Sequence, residues 1–364
     1  PPAPRSAPDW PGEEGRVDTS LLQNATSLKT NLRRILVAML LGVCVYGGFV
    51  VYRGVGEIGR SLEHFKPSAF VIACALAFGN YVLRYFKWEF YLSRLQIRGV
   101  KKMDSFLTYL SGFVLTVTPG KVGEVFKSLI LFETYGVPIT KTAPIVVAER
   151  ATDVVGIVLL IIASASLGFA GGLVWAGVGA GLVLALLLVV GHRGLSLWLI
   201  GLVGRLPGRL GKIAPKLEAA YESLATMLKP RNLFVPSVLS AAAWMLECLS
   251  LWVILGGFGE STSVSLSTFF YSTSTLVGAI VPVPGGLGVT ESALMGQMTT
   301  MGHVEGSTAT AAMILVRFAT LWFAVIVGFV ALSLMKRRFP GLLAKDAKDT
   351  TDTNDEASAK GEAA

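Results

Sequence analysis

Charge is scarce in this sequence. Only 15% of its 364 residues are charged, against about a quarter in an ordinary soluble domain. Hydrophobic residues make up 52%, which excludes a conventional soluble enzyme and points to a membrane protein. Reactive side chains are scarce as well. The three cysteines (Cys44, Cys74, Cys248) all lie in apolar segments without metal-ligand spacing, so neither a disulfide framework nor a thiolate metal site is expected. The three histidines (His64, His192, His303) are scattered, and no catalytic triad, cofactor or metal site is expected from them. No phosphate-cradling loop of the G-x-x-x-x-G-K-[ST] type is present, so ATP is not the expected energy source. Strict apolar/polar alternation is missing too, which excludes an outer-membrane barrel.

What the chain has instead is a series of long apolar runs. The net charge of +8 sits in clusters beside the ends of those runs, the pattern of cytoplasmic anchoring rather than of nucleic-acid binding. The runs predict about six full spans, near 35–52, 67–93, 143–167, 173–191, 233–256 and 307–335. Residues 1–30 and 339–364 are polar and expected to be disordered. Residues 192–232 hold seven basic side chains against Glu218 and Glu222 and read as a cytoplasmic loop with a helix near 213–228. Two further apolar stretches, 105–136 and 264–300, are each broken in the middle. Neither half of either stretch reaches the roughly 20 residues that a span needs.

The breaks are Val281-Pro-Val-Pro-Gly-Gly-Leu-Gly-Val-Thr-Glu291 and Thr118-Pro-Gly-Lys-Val-Gly-Glu124. Proline removes a backbone donor and clashes with the preceding turn, and glycine frees the backbone, so no continuous helix passes through either one. The two resemble each other. Pro119 is followed by Gly120, Gly123 and Glu124; Pro284 is followed by Gly285, Gly286, Gly288 and Glu291. Glu124 precedes Arg150 by 26 positions, and Glu291 precedes Arg317 by the same 26. This repetition predicts two re-entrant helical hairpins within units at about 67–168 and 233–335. With the basic clusters placed inside, the units have opposite orientation, and both termini of the 31–338 membrane domain are cytoplasmic. The expected fold is therefore an all-α polytopic membrane protein arranged as an inverted repeat.

Charges inside spans are costly and usually face a cavity or a partner. Arg84 shares a helix face with Asn80 and Trp88; Lys87 and Trp88 are expected to reach for the interface. Glu149 and Asp153 share a face beside Arg150. They form either an ion-pair knot with Lys121 or Lys127, or a polar cavity wall in which Arg150 and Arg317 grip phosphate. Glu124 and Glu291 either cap the half-helices that follow the turns or carry a coupling proton or cation. Glu247 stands alone in the fifth span, where either a structural partner, the expected case, or a proton-carrying role would account for it.

With Thr118–Glu124, Glu149-Arg150-Ala-Thr-Asp153 and Pro282–Glu291 in view, the chain resembles the flippase-type transmembrane region of lysylphosphatidylglycerol synthase and its stand-alone relatives, over roughly 30–338. The resemblance implies a lipid-translocating domain of the cytoplasmic (inner) membrane. It does not imply aminoacyl transfer, because no synthase-like segment follows Arg338. The expected function is movement of an anionic-headgroup lipid, either a phospholipid or a polyprenyl-phosphate-linked lipid. The substrate-contacting set would be Arg84, Pro119, Gly120, Gly123, Glu124, Glu149, Arg150, Asp153, Pro284, Gly285, Gly286, Gly288, Glu291 and Arg317. The expected partners are membrane lipids and a lipid-synthesis enzyme, not nucleic acid. A membrane-embedded enzyme acting on a lipid phosphate, or a non-catalytic accessory subunit, are the alternatives.

Overall fold

The computed structural model describes residues 62–117, 124–165, 172–204, 214–281 and 284–343. The expected first span, residues 1–30 and 344–364 of the polar termini, and the centre of the first broken motif, including Pro119, Gly120 and Gly123, lie outside the described residues. All regular structure among those residues is helical.

The helices are α1 (Pro67–Arg94), α2 (Lys102–Ser111), α3 (Phe126–Tyr135), α4 (Ile139–Thr142), α5 (Pro144–Ala165), α6 (Gly172–Gly191), α7 (Arg193–Gly204), α8 (Ala214–Met227), α9 (Pro230–Gly257), α10 (Val264–Ile280), α11 (Val289–Thr300), α12 (Gly306–Arg317) and α13 (Phe323–Arg338). Proline opens α1 and α9, where its missing N–H costs nothing. Basic residues close α1 and α13, where they complement the helix dipole and mark a polar boundary. α1, the Arg231–Gly257 stretch and the continuous Gly306–Arg338 rod are long and apolar enough to cross a membrane. That last rod is not uniform: α12 passes into α13 through one wide π turn, Phe318–Trp322.

The broken stretches are pairs of short helices, as their prolines and glycines require. α2 tightens into a 3₁₀ turn at Gly112–Leu115 and stops, and α3 begins on the far side of the motif. α10 ends at Ile280, and α11 begins after the Pro284–Gly286 turn, in which Gly285 and Gly286 take φ of 62° and 68°. The 192–232 segment departs from expectation. Besides the anticipated helix (α8), it contains α7, an apolar twelve-residue helix with Trp198 exposed. The basic residues flanking α7 mask its apolar content when the segment is read as one loop.

Packing interlocks the two halves of the chain. α1 lies along α9, α5 is covered by α9 and α10, and α13 is covered by α2 and its 3₁₀ turn. Two glycines make the closest approaches possible. A Cβ on Gly156 would stand 2.7 Å from the Ala241 nitrogen of α9, and one on Gly328 would stand 2.6 Å from the Val114 nitrogen after α2. Small residues at such crossings let backbones meet.

Among the described residues the apolar side chains form two separate cores. One gathers Trp88, Tyr91, Phe113, Ile130, Ile145 and Met335, and the other gathers Ile157, Leu251, Phe270, Leu294, Met298 and Val316. α5 passes from the first core at Ala151 to the second at Ile157, and the last rod passes between them around Thr320. The polar residues of the spans sit where the helices change from one core to the other.

Candidate functional site

A cavity of about 350 Å³ opens between the two cores. Its walls hold three arginines, Arg84 on α1, Arg150 on α5 and Arg317 on α12. They also hold three carboxylates, Glu124 ahead of α3, Asp153 on α5 and Glu247 on α9. Gly285 and Gly286 of the second broken motif close one side, and Tyr81, Trp244, Tyr271 and Thr320 contribute further polar edges.

The 26-residue spacing noted in both halves is a pair of contacts. Arg150 Nη2 donates to Glu124 Oε2 at 3.2 Å, and Arg317 Nε donates to Glu291 Oε1 at 2.6 Å. Each pair ties the start of the second short helix of a broken stretch to the helix that follows it. The two pairs differ in tightness. Arg317 also donates to the Gly285 carbonyl at 2.9 Å, and its side chain is 9% exposed. Arg150 divides itself between Glu124 and Asp153 (3.0 Å), is 28% exposed, and keeps a buried Nε without a hydrogen-bond partner among the described residues. Glu291 additionally accepts from the Gly288 N–H at 2.7 Å, capping α11.

Asp153 is the hub of the first half. It receives Arg84 and Arg150 on one oxygen; on the other it receives Lys87 Nζ at 2.6 Å and Ser240 Oγ at 3.0 Å. Arg84 also stacks over Trp244, 5.4 Å from the ring centroid. Glu149 does not reach the cavity. It lies behind the wall, paired with Lys127 at 2.5 Å, and Lys127 in turn sits over the faces of Trp88 and Tyr109.

The structure thus brings Arg84, Glu124, Arg150, Asp153, Gly285, Gly286 and Arg317 to one cavity. Glu149 and Glu291 stand behind it, and Gly288 and Pro284 belong to the turn beside it. The expectation that Lys87 and Trp88 reach the interface is wrong. Both are fully buried, Lys87 between Asp153 and Ser240 and Trp88 donating to Ser105 Oγ at 3.2 Å. Their neighbours across the helix face, not their distance from the helix end, decide their environment. A sequence signal for Lys87 existed: it lies seven positions after Asn80 and three after Arg84, on the same face. Tyr81, Tyr271 and Thr320 had no such signal, because aromatic and hydroxyl residues are common in apolar helices.

Among the described residues no group of three or more His, Cys, Asp or Glu is placed to hold a metal ion. What the arrangement can do is hold a compact charged group. Arginine can bind a phosphate in place of a carboxylate.

Comparison with known proteins agrees with this membrane architecture. A UPF0104 membrane protein of Methanothermobacter thermautotrophicus is 23% identical over 330 residues, spanning 81% of this chain and 94% of that relative. A UPF0104 membrane protein of Methanocaldococcus jannaschii is 24% identical over 231 residues, spanning 62% of this chain and 95% of that relative. The sequence pattern described as the lysylphosphatidylglycerol synthase TM region matches residues 35–328, and the chain belongs to that family.

Proposed function

We propose that this protein is a lipid transporter of the cytoplasmic membrane, passing an anionic lipid headgroup through the cavity while the acyl tails stay in the bilayer. The observation that carries this reading is the pair of equally spaced Glu–Arg contacts, Glu124–Arg150 and Glu291–Arg317, whose two arginines both line one polar cavity. Two further features support it. The helices of the pairs α2/α3 and α10/α11 are each short for a span, which supports reading the pairs as re-entrant hairpins. The exchange of contacts, α10 on α5 and α2 on α13, is what an inverted repeat would generate.

In this mechanism the headgroup phosphate enters beside Arg150, the more exposed arginine, and displaces its carboxylates. Arg84 lies within the same wall to receive it, and Arg317 closes the far side. Release of Arg150 from Glu124 frees the first hairpin, and engagement of Arg317 frees the second, so access alternates between the two faces. Lys127–Glu149 and Lys87–Asp153 are the fixed parts that keep the walls in register.

The test is headgroup translocation in proteoliposomes with fluorescent anionic, zwitterionic and polyprenyl-phosphate lipids. Faster movement of a phosphate-bearing anionic class than in protein-free vesicles is expected. A folded protein that moves none of the three contradicts the reading.

A further inference from the structure

We propose that Glu247 carries one proton across with each headgroup, so that transport is an electroneutral lipid–proton symport; this rests on the cavity being the headgroup path. Among the described residues six carboxylates are buried: Asp104, Glu124, Glu149, Asp153, Glu247 and Glu291. Five of them have an arginine or lysine within salt-bridge reach: Asp104 has Arg338, Glu124 has Arg150, Glu149 has Lys127, Asp153 has Arg84 and Lys87, and Glu291 has Arg317. Glu247 has none. It lies deep in the 28-residue helix α9, lines the cavity, and is 7% exposed.

Its partner is a hydroxyl. Tyr271 donates to Glu247 Oε2 at 2.7 Å, with Thr320 Oγ1 3.3 Å from the same hydroxyl, and Tyr81 donates to the Thr320 carbonyl at 2.7 Å. This connects α9 and α10 to the π turn of the last rod, and π turns are frequent at functional sites. A carboxylate held by a neutral hydroxyl, with no fixed cation, can be charged or protonated without breaking an ion pair. The other five cannot.

Charge balance gives the stoichiometry. The cavity walls carry three arginines and three carboxylates, whose formal charges cancel. Adding a singly charged phosphodiester leaves one excess negative charge in a poorly solvated space, which is costly. A proton from water on the entry side, bound as O–H on Glu247, restores neutrality and is released to water on the exit side. The charged and titratable groups that line the cavity with Glu247 are Tyr81 and Arg84 from α1, Glu124 ahead of α3, Arg150 and Asp153 from α5, Tyr271 from α10 and Arg317 from α12, and Cys248 is its neighbour on α9. A sodium ion is disfavoured because it requires several oxygen ligands, and the other two carboxylates of the cavity, Glu124 and Asp153, are already held by arginine or lysine.

The experiment reads the final distribution of a headgroup-labelled anionic lipid in proteoliposomes under a pH gradient, a sodium gradient or a potassium–valinomycin potential. Symport of one proton predicts a bias of about tenfold per pH unit toward the alkaline side, with no response to sodium or potential. Glu247→Gln fixes the neutral form and is expected to lose this bias, a quantity that does not depend on its rate. Tyr271→Phe keeps the carboxylate and is expected to keep the bias. Lipid movement that ignores the pH gradient, follows sodium, or stays biased in Glu247→Gln overturns the proposal alone. Absence of any lipid movement by the native protein overturns the transporter reading and this proposal with it.

Discussion

Arg317 and Arg150 occupy matching positions in the two halves, yet they respond to substitution differently because their carboxylates are buried differently. Removing Arg317 strands Glu291, which is 2% exposed, and a buried charge without its partner costs about 3–5 kcal/mol. Arg317→Gln alone is therefore expected to lower the apparent Tm in detergent markedly, whereas Glu291→Gln with Arg317→Gln should recover most of it and still lack transport. A double variant as unstable as the single would show that Arg317 supports the fold in some other way. The same reasoning applies behind the wall. Lys127→Met leaves Glu149 unpaired and should destabilise by about 3–5 kcal/mol, while Lys127→Met with Glu149→Leu should be close to native in Tm, since apolar replacements of a buried pair are often neutral. At this scale the sequence was partly transparent. The equal 26-residue spacings marked both Glu–Arg couples as parts of a repeat without indicating that they touch, and Lys127 was one of two lysines expected near Glu149. Lys87 was misplaced because sequence distance from a helix end says nothing about Ser240 and Asp153 waiting across the face.

The helices themselves were largely legible, because proline, glycine and long apolar runs act locally. α10 ends where the prolines begin, and α1, α5, α6 and α9 fall within a few residues of the expected apolar runs. The π turn at Phe318–Trp322 was not legible; no proline or glycine marks it, and it is fixed by tertiary contacts such as Tyr81 on the Thr320 carbonyl. Helix crossings were not legible either, since a glycine in an apolar run gives no hint of what lies opposite. Gly328 and Gly177 make the contrast testable. Alanine normally stabilises a helix interior by about 1 kcal/mol relative to glycine, and Gly177 has open space where a Cβ would stand. Gly177→Ala should leave Tm unchanged or raised. Gly328→Ala pushes against the Val114 backbone and should lower Tm, by about 1–3 kcal/mol in stability. Equal effects at the two positions would contradict the close packing of α13 on the turn after α2.

Across the described residues the molecule has two apolar cores with a charged layer between them, and Glu124, Gly285 and Gly286 bring residues of both broken motifs to that layer. An account in which the cavity carries a headgroup requires at least one cavity arginine to be dispensable for folding and indispensable for transport. Arg150 fits that requirement best. It is the most exposed of the three, and Asp153 keeps Arg84 and Lys87 when it is gone. The most direct test is the initial rate of anionic-headgroup translocation in proteoliposomes by Arg150→Gln combined with Glu124→Gln, so that no buried carboxylate is left without its arginine, with Tm measured on the same preparation. The account predicts a rate reduced to that of protein-free vesicles with Tm within a few degrees of native. A native rate, or loss of transport accompanied by collapse of Tm, would contradict it and leave the charged layer as scaffolding.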